Sequence, residues 1–141
     1  MRRFAHKGKA DLEVRQLVET ICKDLAQGDY AGEVLAIYYW VCQNVRYMRD
    51  IHDVEFVKEP GQVIRTRSGD CDDMATLLAA MCMTCGNTCE FLVASFTPSP
   101  TPTHVYLRVH TPSGPMVLDP VANKQTAQMI SRMQGFKAIP V

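Results

Sequence analysis

The chain has 141 residues, 47% of them apolar, and its 15 Lys plus Arg balance 15 Asp plus Glu, giving a formal net charge of zero. That length suits one domain, the apolar share excludes wholesale disorder, and the charge balance argues against a nucleic-acid binder built on a broad basic face. No apolar run approaches the roughly 18–20 residues that cross a bilayer, so a membrane partner is not expected either.

The first nine residues, Met1 to Lys9, have the basic start of a signal peptide but no apolar stretch behind it. A cytoplasmic, reducing location is therefore expected, with residues 1–9 as a flexible, solvated tail. Val14, Leu17, Val18, Ile21, Cys22 and Leu25 then repeat at helical spacing and predict an amphipathic helix from Asp11 to Gln27, stopped at Gly28. Asp29 is placed to cap a second helix, Tyr30 to Tyr47, whose stripe is Val34, Ile37, Tyr38, Val41, Cys42 and Val45. Arg49 to Ser68 loses this periodicity, contains Pro60 and Gly61, and is expected to be a loop with at most a short helical turn.

A third helix begins near Cys71 with the stripe Met74, Leu77, Leu78, Met81, Cys82 and Cys85, and ends at Gly86-Asn87. Cys89 to Phe96 is short and rich in β-formers, so a strand is expected there. Pro98, Pro100 and Pro102 make the next stretch an extended loop. His104 to His110 alternates strictly: Val105, Leu107 and Val109 share one face, and His104, Tyr106, Arg108 and His110 the other. A turn at Pro112-Ser113-Gly114-Pro115 leads to a third strand, Met116 to Asp119, and a short helix is expected near 126–133. Helices come first and an antiparallel sheet follows, which makes this an α+β domain covering residues 1–141.

Six cysteines without a secretory context do not predict a disulfide framework; they raise the question of a nucleophile. Ser68-Gly69-Asp70-Cys71-Asp72-Asp73-Met74 answers it best. Asp70 can cap the helix, with Asp73 completing a capping box, and Cys71 then occupies the first helical turn. Unpaired backbone N–H groups and the positive end of the helix dipole favour a thiolate there and can stabilise an oxyanion. The three carboxylates act the other way, so a cationic partner is needed, and an imidazolium beside the sulfur would supply it.

Four histidines are available. His6 lies in the expected tail and His52 in a charged loop. His104 and His110 stand at opposite ends of one strand, roughly 20 Å apart, so they cannot serve one site. His104, opening its strand at a cleft edge, is the better partner. The tight turn at Ser113-Gly114 pairs the two strands antiparallel. The end of the second strand therefore lies opposite the start of the first, and Asp119 falls near His104 rather than His110.

Gly69-Asp70-Cys71-Asp72-Asp73, His104-Val105-Tyr106 and Leu118-Asp119-Pro120, in this order, resemble the transglutaminase-like superfamily of papain-like cysteine enzymes. The likeness runs from about Leu35 to Val121 and includes the lead-in Trp40-Val41 with Asn44-Val45-Arg46-Tyr47. It implies Cys71 as nucleophile, His104 as general base and acid, and Asp119 as the group orienting His104. It further implies a nucleophile-bearing helix packed on a small antiparallel sheet, and acyl transfer from protein or peptide amides through a thioester. Water as acceptor would make a cysteine peptidase or amidase, and an amine a transglutaminase-like acyltransferase. Tyr106 departs from the family, which often has Trp after the histidine. No cofactor or metal is implied, since the calcium sites of large animal members belong to longer chains. The compact pattern is similar to small bacterial and phage members, which makes virion association one option.

Trp40, Asn44 and Gln62 stand as alternatives for a second oxyanion donor beside the Cys71 N–H, with helix packing the plainer reading of Trp40. Cys82, Cys85 and Cys89 have a zinc-like spacing, but two lie on a helical apolar stripe and read as core. The loops Pro98 to Thr103 and Asp50 to Gln62 are expected to wall the cleft. The competing reading is a catalytically silent binding or assembly module, which intact Cys71, His104 and Asp119 argue against.

Overall fold

The computed structural model describes residues 1–49, 56–94, 104–121 and 136–141. Its elements in chain order are α1 (Arg2–Ala10), α2 (Leu12–Cys22), α3 (Tyr30–Asn44), β1 (Arg46–Tyr47), α4 (Pro60–Thr66), β2 (Ser68–Gly69), α5 (Cys71–Thr84), β3 (Thr88–Ala94), β4 (His104–Thr111), β5 (Gly114–Leu118) and β6 (Phe136–Pro140). Helices precede an antiparallel sheet of order β5-β4-β3-β6, the α+β arrangement the sequence predicts.

Helix α5 is the centre of the molecule. Every residue from Asp73 to Met83 is buried, because α1, α2, α3 and α4 surround it on one side and β3 and β4 pack on the other. The apolar stripe meets Phe91, Val105, Leu107 and Val109 of the sheet in one core. Small residues, Ala75, Ala79 and Ala80, fill its remaining faces and let the other helices approach. The alternation of β4 holds, but its second face is also buried at Tyr106, which packs with Leu92 and Ala94 in a second cluster, while further along Arg108 is half-buried and His110 exposed.

The expectation of a flexible tail at residues 1–9 is overturned. Residues Arg2–Ala10 form α1, with Ala5 and Gly8 buried against α5. A Cβ on Gly8 would fall 2.5 Å from Pro60 Cγ and 2.9 Å from Ala80 Cβ. The helix therefore docks through small side chains, a signal that its basic residues mask.

Two boundaries also differ. α2 stops at Cys22, where the Leu25 N–H turns back to the Cys22 carbonyl. α3 ends at Asn44, because Val45 is extended and Arg46–Tyr47 pair in parallel with Ser68–Gly69. Long-range pairing there overrides the helical spacing of Val45. Strand β6 was not anticipated and lines the free edge of β3. The helix expected near 126–133 and the Pro98 to Thr103 loop lie outside the described residues. Among the described residues no helix is long and apolar enough to cross a membrane.

Candidate active site

Gly69 gives the chain its close approach to α5, since a Cβ there would sit 2.6 Å from Asp73 Cβ. Asp70 then caps the helix. Its Oδ1 accepts from the Asp73 N–H at 2.9 Å, while Asp73 Oδ2 accepts from the Asp70 N–H at 3.3 Å, closing the capping box.

Asp73 is fully buried and serves a second partner. The Lys58 backbone N–H donates to Oδ1 and Lys58 Nζ to Oδ2, both at 2.6 Å. One of the three carboxylates flanking Cys71 is thus neutralised inside the fold, and residues 56–58 are tied to the first turn of α5. Asp72 lies nearer the thiol, with Cys71 Sγ 3.7 Å from its Oδ1.

His104 opens β4, and Asp119 follows β5. Because β4 and β5 pair antiparallel with Leu107 opposite Leu118, the two residues come together, and His104 Nε2 lies 2.6 Å from Asp119 Oδ2. The contact is shielded, with His104 and Asp119 side chains 10% and 3% exposed. Asp119 is itself held. Its Oδ1 accepts from the Val121 N–H, its carbonyl accepts from the Tyr38 hydroxyl at 3.1 Å, and the Cys42 thiol lies 3.7 Å from the Pro120 carbonyl. Helix α3 therefore fixes the segment that orients His104.

The Cys71 side chain is half-buried and lies close enough to the His104 imidazole to interact with it. With Nε2 taken by Asp119, Nδ1 is the ring nitrogen left for the thiol. Burial pushes the imidazole pKa down, but the hydrogen bonds and negative charge of Asp119 and Cys71 outweigh it and raise the value from 6.5 to about 9. Tyr106, on the same face of β4, stacks on the imidazole with ring centroids 6.0 Å apart.

The structure thus brings together Cys71, His104 and Asp119, and it separates His110, which pairs with Glu90 at 3.1 Å. His6 is exposed on α1, and His52 lies outside the described residues. Of the oxyanion candidates, Trp40 has the Arg67 guanidinium over its ring at 4.7 Å, Asn44 donates to the Trp40 carbonyl, and Gln62 is exposed on α4. Sequence reasoning missed Lys58; a single lysine in an aperiodic loop carries no local signal. Among the described residues no three His, Cys, Asp or Glu side chains are grouped to hold a metal ion.

The transglutaminase-like superfamily model matches residues 15–120. A search of curated proteins finds no match. Solved structures share the fold. Legionella pneumophila LapG is 18% identical with a TM-score of 0.64, covering 99% of this chain and 81% of its own. A candidate cysteine protease from Cytophaga hutchinsonii is 16% identical with a TM-score of 0.61, covering 92% and 51%. A candidate protease from Parabacteroides distasonis is 15% identical with a TM-score of 0.64, covering 81% of this chain and 25% of its own. The chain therefore spans only a quarter and a half of the two protease-named structures.

Proposed function

The chain belongs to the transglutaminase-like superfamily, and on that premise we propose that residues 1–141 form one domain that cleaves protein or peptide amides through a Cys71 thioester. The observation that carries the reading is a single imidazole held by Asp119 at 2.6 Å and close enough to Cys71 to interact with it, on strands and a helix held by buried contacts. A pKa of about 9 keeps His104 protonated at neutral pH, which favours a thiolate beside it.

The steps follow from that pair. The Cys71 sulfur attacks the amide carbonyl carbon, and the carbonyl π pair moves to oxygen, where the Cys71 N–H at the helix start donates to it. The tetrahedral intermediate collapses, the C–N bond breaks, and the His104 imidazolium gives its proton to the departing amine. Neutral His104 then takes a proton from water as its oxygen attacks the thioester, the C–S bond breaks, and the carboxylic acid leaves with the Cys71 thiolate and the His104 imidazolium restored. The likeness to candidate proteases supports water over an amine as acceptor.

The test is alkylation of the folded chain by iodoacetamide from about pH 5 to about 9, each cysteine being mapped by mass spectrometry. Cys71 is expected to label selectively at neutral pH, ahead of the other five cysteines, and His104→Ala to abolish that selectivity. Labelling that rises only above about pH 8, or never favours Cys71, would overturn the reading in favour of a binding module.

A further inference from the structure

The acyl-transfer reading supplies one oxyanion donor, the Cys71 N–H; of the three candidates suggested by the sequence, Trp40 and Asn44 meet other partners and Gln62 is exposed on α4. The short β1–β2 ribbon points to a different side chain. Tyr47 pairs with Gly69, two residues before Cys71, in a parallel register. Paired residues leave a sheet on the same face. The missing Cβ of Gly69 points at Asp73 in the first turn of α5, so Tyr47 leaves the ribbon over that turn. Its neighbours leave on the opposite face, where Arg46 Nη2 meets Met48 Sδ at 3.4 Å.

The ribbon is fixed at both ends of Tyr47. The Arg46 N–H donates to the Arg67 carbonyl at 2.9 Å and the Met48 N–H to the Gly69 carbonyl at 2.8 Å. The tyrosine is 45% exposed, so a substrate can reach it, and its hydroxyl makes no hydrogen bond among the described residues. Burial first, and then the nearness of Cys71 and Asp70, pushes its phenol pKa up, so it remains a proton-bearing donor.

We propose that Tyr47 is a catalytic residue whose Oη–H, together with the Cys71 N–H, donates a hydrogen bond to the oxyanion formed when Cys71 is acylated. The hydroxyl keeps its proton throughout; it stabilises the negative oxygen and releases it when the carbonyl re-forms. This rests on the acyl-transfer reading, and two electrophiles separate the fates of the two ideas.

p-Nitrophenyl acetate acylates a thiol through a tetrahedral oxyanion and releases nitrophenolate. Iodoacetamide alkylates the same sulfur by direct displacement of iodide, with no oxyanion. Wild type and Tyr47→Phe, which removes one oxygen atom, are compared with both reagents, with modification mapped to Cys71. The expected result is acylation slowed about 100-fold, the scale of losing one oxyanion donor, with alkylation unchanged. Equal acylation rates in the two proteins would overturn the role of Tyr47 and leave the nucleophile standing. An equal loss in both reactions would also overturn it, because the hydroxyl would then act on the thiolate. If wild-type Cys71 is favoured by neither reagent, the acyl-transfer reading fails and the Tyr47 assignment falls with it.

Discussion

Helix α5 can be compared end to end, because cysteines gather at both. At its N-terminal turn Cys71 meets an imidazole, a capping box and a buried Lys58–Asp73 pair. At its C-terminal end Cys82 and Cys85, joined by Cys22 and Cys89, sit among aliphatic side chains of the core. Burial there pushes the thiols up, to about 12 for Cys85 and Cys89. The helix dipole reinforces the contrast, since its positive end favours a thiolate and its negative end opposes one. The same residue type is thus a proposed nucleophile at one end and a small hydrophobe at the other, and the difference lies in the polar groups that reach each end from distant segments.

The largest expected effect would break the comparison outright. Cys71→Ala should abolish turnover of p-nitrophenyl acetate, on the roughly million-fold scale that losing a covalent nucleophile costs a serine peptidase. Its denaturant midpoint should stay near wild type, because the side chain is only half-buried. Next comes the frame. Lys58→Ala leaves Asp73 buried without its cation and should cost roughly 3–5 kcal/mol in equilibrium unfolding. The exposed Lys7–Glu59 pair gives the matching control, with Lys7→Ala costing under about 1 kcal/mol. Equal costs for the two lysines would mean that the polar end of α5 is not built on the buried pair.

These groups also divide into those legible in the sequence and those that are not. The His104–Asp119 contact was legible because one tight turn fixes the register of two adjacent strands, and the capping box because its members are three residues apart. The Lys58–Asp73 contact and the β1–β2 ribbon that places Tyr47 were not, since they join segments 15 and 22 residues apart through a stretch without periodicity. The N-terminal helix was misread for another reason. Its docking surface is Ala5 and Gly8, whose contribution is the absence of side-chain volume, and hydrophobic spacing does not register that.

A smaller effect sharpens the polar end. Asp119→Asn removes the charge that, with Cys71, holds the His104 imidazole at about 9, so its titration should fall by about one unit or more in NMR spectra of the ring protons. The folded-state value lies above the 6.5 of an ordinary imidazole. The stabilisation from charged His104 is therefore fully present below about pH 6.5 and is lost as pH rises through about 9. Wild type should lose stability across that window, and Asp119→Asn should show a flatter profile there. Parallel profiles would mean that Asp119 does not set the charge of the imidazole.

The smallest effect is expected at the apolar end. Cys85 closes α5 near Cys22, yet its thiol is pushed up to about 12 and holds almost no thiolate at neutral pH. Cys85→Ala should change unfolding free energy by about 1 kcal/mol or less and leave the alkylation rate of Cys71 unaltered. Between the two thiols run more than two turns of helix whose residues are all buried. A packed rod of that kind transmits a displacement only if it can move as a unit between two arrangements. A changed Cys71 rate in Cys85→Ala would reveal such a movement, and the two ends of α5 would then have to be treated as one coupled element.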